Sequence, residues 1–165
     1  MSNFFLRYLA VFLITVVTAC SYKPIFSENN YNFEINEIIF SGERYINRII
    51  KNKFDLIKKE NEQNRKKYDL LINTNKKKLI VSKDSKGDPL KFDLIVTTYF
   101  EISNEEKLLF KKEIIKNNIY NNDVDKFKLE QNEKIILENL SEKIGETIIS
   151  SILNLNNDLT NFQFH

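Results

Sequence analysis

The sequence predicts an α+β domain: a four-stranded mixed sheet with two helices packed on one face, in the order β-α-β-β-β-α. Three observations lead there. The stretch from Phe92 to Ile102 places apolar residues at every second position, as a strand with one covered face does. The last third of the chain carries apolar residues at repeated spacings of three and four, the mark of a long amphipathic helix. Only 3 Gly and 2 Pro occur in 165 residues, too few turn formers for an all-β sandwich, so long elements joined by few loops are expected. A helix between the first two strands calls for a crossover, and both helices are expected to cover the apolar side of the sheet.

Taken in order, Phe33 to Phe40 begins with alternation and ends in an apolar run, which suits a strand covered on at least one face. After Ser41-Gly42, the residues Ile46, Ile49, Ile50, Phe54 and Ile57 fall at helical spacing. Ser41 is placed to cap this helix, Glu43 falls in its first turn, and its end is expected near Lys59. Residues 60–66 are a charged loop. Tyr68, Leu70, Ile72 and Thr74 alternate, and Leu79-Ile80-Val81 resumes the apolar pattern after Lys76-Lys77-Lys78, which predicts one long strand with a bulge or an edge at the lysines. Asp84 to Pro89 has turn chemistry. The Phe92–Ile102 strand follows, Ser103 to Glu106 turns it back, and Leu108 to Tyr120 is its partner. Asp125 is placed to cap the final helix, whose apolar positions are Leu129, Ile136, Leu140, Ile144, Ile148, Ile152 and Leu155. From Lys126 to Asn154 it would run about 40 Å. Residues 156–165 read as a tail without a clear period.

The N-terminus reads as an address. Arg7 and the terminal amine supply positive charge, Tyr8 to Val17 is an apolar run shorter than the roughly 20 residues a spanning helix needs, and Val17-Thr18-Ala19 places small residues before Cys20. Residues 1–19 are therefore expected to be a cleaved lipoprotein signal peptide. Cys20 would become the first mature residue, its thiolate taking a diacylglycerol thioether and its new amine a further acyl chain. Two chains already anchor stably, at about 0.8 kcal/mol per buried methylene. The competing reading is an ordinary signal peptide that ends near a buried cysteine. Residues 20–32 form a polar tether, 33–155 a single domain, and Ser21, where an aspartate would signal inner-membrane retention, favours the periplasmic side of the outer membrane.

The chain offers little for catalysis. Its single histidine, His165, is the final residue, and its single thiol belongs to the anchor. No Gly-rich phosphate loop, His or Cys metal spacing or nucleophile elbow occurs. Asp84-Ser85-Lys86-Gly87-Asp88 lacks the twelfth-position glutamate of a calcium loop and reads as a hairpin turn. No enzyme, metal or cofactor is expected beyond the lipid on Cys20. With 25 basic against 23 acidic residues, no global field draws the chain to nucleic acid.

Cys20-Ser21-Tyr22-Lys23-Pro24-Ile25-Phe26 resembles the mature start of the α-proteobacterial LPS-assembly lipoprotein family, LptE, whose pattern is Cys, a small residue, an aromatic, any residue, Pro, an aliphatic and an aromatic. Tyr68-Asp69-Leu70, the turn at Gly87, the strand from Phe92 to Ile102, Tyr120-Asn121 and the final helix from Ile144 to Leu153 follow in that family's order. Ser21 in place of Gly, the lysine run and an Ile-rich last helix depart from it. The resemblance implies a non-catalytic outer-membrane lipoprotein that plugs the large LptD-like β-barrel of the lipopolysaccharide translocon. It further implies a role in that barrel's assembly and in inserting lipopolysaccharide into the outer leaflet.

Lys76, Lys77, Lys78 and Lys83 are the candidate contacts to lipid A phosphates, since an ammonium binds phosphate as a point charge. The alternative is an edge strand protected by charge. Two other functional classes stay open: a free periplasmic lipoprotein that binds a small ligand or inhibits an enzyme, and an accessory of another envelope assembly machine.

Overall fold

Strand pairing begins with two neighbours that run the same way, and that fixes the rest of the topology. The computed structural model describes residues 33–57 and 65–161, with side chains placed as far as Leu56 in the first segment and Asn156 in the second. The chain divides into two units, Met1–Asn30 and Tyr31–His165, and the first lies outside the described residues. The second contains β1 (Phe33–Gly42), α1 (Arg44–Ile57), β2 (Lys66–Lys83), β3 (Pro89–Asn104), β4 (Lys107–Asn121) and α2 (Lys126–Asn161). The sheet order is β1-β2-β3-β4. β1 and β2 are parallel, which requires the α1 crossover, whereas β2-β3 and β3-β4 are antiparallel hairpins. This is the predicted mixed sheet and element order.

Alternation on β3 builds the core. Leu94, Val96, Thr98, Phe100 and Ile102 all point to one face and are buried, together with Tyr68, Leu70, Ile72 and Thr74 of β2 and Ile114 and Tyr120 of β4. Against them lie Ile46, Ile50 and Phe54 of α1 and Leu129, Ile136, Leu137, Leu140, Ile144, Ile148, Ile149 and Ile152 of α2, so both helices cover the same face. Each such side chain contributes about 1.5–3 kcal/mol when fully buried. The helices also touch each other. Gly145 of α2 leaves room for Lys53 of α1, whose Cβ would stand 3.4 Å from a β-carbon added there, and the Lys53 ammonium reaches back to Glu146 at 3.4 Å and Glu142 at 3.6 Å.

β1 contains a register shift between Ile35 and Glu37. The extra residue reverses the phase of the strand: Phe33 and Ile35 face the helices before it, and Ile38 and Phe40 after it. Ile39 is thereby turned outward and is 53% exposed. The apolar run at the end of this segment is thus a phase change, not two-sided burial.

The β1–α1 junction corrects the expected cap. Ser41 belongs to β1, and its hydroxyl accepts from Asn73 Nδ2 at 2.8 Å. Glu43 stands before the helix rather than in its first turn: its carbonyl accepts from Asn47 N–H at 3.0 Å, and its own N–H donates to Thr74 O and Oγ1 at 3.2 and 3.0 Å. Gly42, at φ +86°, brings the backbone so close to β2 that an added β-carbon would sit 1.9 Å from the Thr74 carbonyl oxygen. Asp125 caps α2 as expected, accepting from Phe127 and Lys128 N–H at 3.0 and 3.3 Å.

The first hairpin turn obeys local chemistry and the second departs from it. In the first, one Asp84 carboxylate oxygen accepts from Lys86 and Asp88 N–H at 2.8 Å, with Gly87 at φ +92°. In the second, Glu105 and Glu106 adopt φ 47° and 65° between the paired residues Asn104 and Lys107, the sign pattern of a type I′ turn usually made by Asn-Gly.

The last helix extends beyond Asn154 to Asn161. Its continuation has a cause in Asn156, which is buried and accepts from the buried Tyr68 hydroxyl at 3.3 Å, so residue 156 docks on the sheet rather than starting a tail.

Candidate functional site

Cys20, the tether and His165 lie outside the described residues. The lysine segment is described, and it is not a single patch. β2 passes without a bulge through Lys76, Lys77 and Lys78, which pair with Val96, Ile95 and Leu94, and the register shifts come later, around Ser82. Because β1 ends opposite Thr74, β2 is interior up to that residue and forms an edge from Asn75 onward. An edge at the lysines is therefore present; the bulge there is not.

Side chains alternate along this edge. Lys76 and Lys78 share the helix-bearing face with Val96 and Leu94, while Lys77 projects from the opposite face beside Ile95. Lys78 is committed within the fold. Its ammonium pairs with the Glu133 carboxylate of α2 and lies 4.0 Å from the Phe92 ring centroid and 5.8 Å from that of Tyr120. Burial, reinforced by the Glu133 carboxylate, pushes the Tyr120 phenol well above its ordinary value of 10.0. Lys76, Lys77 and Lys83 are exposed and have no ion pair among the described residues.

The second surface is the sheet face that carries no helix. Ile39 and Leu71 stand side by side on it across β1 and β2, and Ile115 and Ile119 rise from β4 opposite Thr97 and Asp93. These four aliphatic residues and Leu79 are 40–60% exposed. Polar pairs are set among them: Tyr99 donates to Glu101 at 2.6 Å, and Asn117 donates to Asp93 at 3.0 Å. An open antiparallel face is ordinarily polar, whereas this one mixes bulky aliphatic and charged side chains. Its chemistry suits surface contact. Sequence reading attended to one apolar face and missed this one; the signal was present in Ile115 and Ile119, which stand on β4 at the other parity from Ile114 and Tyr120.

Among the described residues no three or more His, Cys, Asp or Glu side chains gather where they could hold a metal, and no helix is long and apolar enough to cross a membrane.

The class that this architecture defines is an α+β fold seen in bacterial lipoproteins. The chain is similar to the rare lipoprotein B from Shewanella oneidensis, with a TM-score of 0.59 at 14% identity over 76% of this chain and 99% of that one. It is also similar to a minor lipoprotein from Acinetobacter baumannii, with a TM-score of 0.53 at 13% identity over 74% and 93% of the two chains. A putative lipoprotein from Caulobacter crescentus has a TM-score of 0.53 at 10% identity over 71% and 88%. At these identities the likeness is one of fold. No protein-family model matches the sequence, and no curated protein matches it.

Proposed function

We propose that this protein is a non-catalytic outer-membrane lipoprotein, anchored through Cys20 on the periplasmic side, that acts as the LptE-like plug of a lipopolysaccharide-translocating barrel. The observation that carries the reading is the fold: the domain matches nearly the whole of a rare lipoprotein B, 99% of that chain, and does so behind a small-residue run ending in Cys20. The open sheet face supports it, since a stable interface is large, and Ile39, Leu71, Ile115 and Ile119 give that face exposed aliphatic side chains beside its charged ones. In this reading the protein works by occupying space and by contact, and no bond is made or broken. Lys76, Lys77 and Lys83 are the residues of the β2 edge left to meet lipid A phosphates, with Lys78 held by Glu133.

Affinity capture of the tagged protein after mild detergent extraction tests the assignment. Recovery with a large β-barrel, together with lipopolysaccharide retained inside the cell on depletion, is the expected result. Recovery alone, recovery with a different assembly machine, or normal surface lipopolysaccharide after depletion would overturn it.

A further inference from the structure

We infer that the groove between the end of β1 and the first turns of α1 is a binding site for a phosphate-bearing group. The groove is an open surface depression of about 480 Å³, lined by the exposed Arg44, Arg48 and Lys51 beside Phe40 and Ser41. Spacings of four and three place the three cations on one stripe of α1. No acidic residue lines the groove, and none of the three has an ion pair among the described residues.

Lys76, Lys77 and Lys83 are likewise unpaired among the described residues, but strand alternation divides Lys76 and Lys77 between the two faces of β2, so they form no stripe. Lys53, on the other side of the same helix, is neutralised by Glu142 and Glu146, and Lys78 by Glu133. Like charges at these spacings repel and weaken the helix that carries them, so an unneutralised stripe is a standing cost that a bound anion would remove. Arg48 is also held in place: its guanidinium lies 5.1 Å from the Tyr45 ring centroid, and Tyr45 packs against the core. Two guanidinium forks and one ammonium match the oxygens of a phosphate better than a single carboxylate. A lipid headgroup and a free phosphate share this chemistry. The inference rests on the groove alone and does not depend on the translocon reading.

The test uses the full chain in neutral detergent micelles, titrated with inorganic phosphate and, separately, with micelles doped with phosphatidylglycerol or phosphatidylcholine, followed through the Arg Nε–H signals by NMR. Arg44→Gln/Arg48→Gln/Lys51→Gln is compared with Lys107→Gln/Lys111→Gln/Lys128→Gln, which removes the same charge elsewhere. Phosphatidylglycerol should shift the Arg44 and Arg48 signals. The groove variant should bind roughly a hundredfold more weakly, at about fivefold per cation near an anionic surface, and the control should bind nearly as well as the parent. Arg48→Lys keeps the charge and loses the fork, so a partial loss is expected and separates phosphate grip from bulk attraction. Binding of the lipid but not of inorganic phosphate identifies the headgroup as the source, and binding of inorganic phosphate alone identifies the free anion; either supports the site. Equal losses in the two triple variants, or binding of neither probe, would refute it. Should the triple variant unfold, Arg48→Gln alone decides on the same criteria. Capture of a barrel by the groove variant, measured alongside, keeps a failure here separate from a failure of the functional assignment.

Discussion

Lys78 and Glu133 join the free edge of β2 to α2, across 55 positions of sequence. The pair is partly shielded, with side-chain exposures of 36% and 26%, and the lysine stem crosses Phe92 and Tyr120. A shielded ion pair and a cation over aromatic rings each contribute about 0.5–1 kcal/mol. Lys78→Ala should therefore lower stability by about 1–2 kcal/mol, and Glu133→Gln by about 0.5–1 kcal/mol. A double-mutant cycle read by urea denaturation should return a coupling clearly above zero; strict additivity would show that the two residues act independently. Equivalent changes at Lys77, which faces solvent beside Ile95, should cost little.

Alkaline pH should act through the tyrosines of the core. Burial raises both Tyr68 and Tyr120 from 10.0, and Glu133 raises Tyr120 further. Up to about pH 9 both phenols are neutral folded or unfolded and contribute no slope. Above it the unfolded chain loses these protons while the native chain keeps them, so stability falls as pH rises toward the native pKa. Denaturant midpoints should hold level to about pH 9 and then drop. Tyr120→Phe should flatten that drop, and Glu133→Gln should move the onset of Tyr120 ionisation, followed by ultraviolet absorbance, to lower pH. An unchanged titration in Glu133→Gln would separate the carboxylate from the phenol.

Gly42 and Gly87 both have positive φ, yet they should respond differently to alanine. A β-carbon at Gly87 meets nothing within 4 Å, whereas one at Gly42 would overlap the Thr74 carbonyl at 1.9 Å. Gly87→Ala carries only backbone strain, about 1 kcal/mol. Gly42→Ala must also separate β1 from β2 or shift α1, and should cost at least about 3 kcal/mol. Equal melting temperatures for the two variants would show that the close approach at Thr74 is relieved cheaply.

Most of this fold was legible because its strongest signals are periodic. Phe92 to Ile102 and the apolar positions of α2 announce their partners through spacing alone, and Asp125 announces its cap through chemistry. What stayed hidden depends on contacts distant in sequence. Ser41 looks like a cap until Glu43 is seen bonded to Thr74; Asn156 looks like a tail until Tyr68 reaches it. The lysine run looks like one charged patch until strand alternation splits it and Glu133 takes Lys78. The groove of Arg44, Arg48 and Lys51 went unread for a related reason: the cations are visible on the helix, but nothing local tells that β1 ends beside them without supplying an acid.

Thr98 marks a position where the sheet carries a needless polar atom. It is fully buried at the centre of β3, between Thr74 and Ile114, and its hydroxyl has no hydrogen-bond partner among the described residues. Thr74, one strand away, satisfies its own hydroxyl through Asn47 Oδ1 at 2.7 Å. An unpartnered buried hydroxyl costs about 1–3 kcal/mol, and valine has nearly the same shape with higher affinity for a covered strand. Thr98→Val should raise stability by about 1 kcal/mol, whereas Thr74→Val should lower it by removing the tie to Asn47. Destabilisation by Thr98→Val would indicate that a buried water serves the hydroxyl.

The open sheet face offers the sharpest separation between folding and assembly. Ile115 and Ile119 are more than half exposed, so replacing them with lysine removes little buried area, and surface changes of this kind usually shift stability by no more than about 0.5 kcal/mol. If the proposed barrel contact is centred there, the same two charges would be buried in the complex, at a cost of several kcal/mol. Ile115→Lys/Ile119→Lys, which sets an ammonium opposite Asp93, should then melt close to the parent yet lose co-purification with the barrel, while Lys107→Asp at the sheet rim should retain it. Retention of the barrel by the double variant would move the interface to the helical side of the domain, where α1 and α2 present their outer faces.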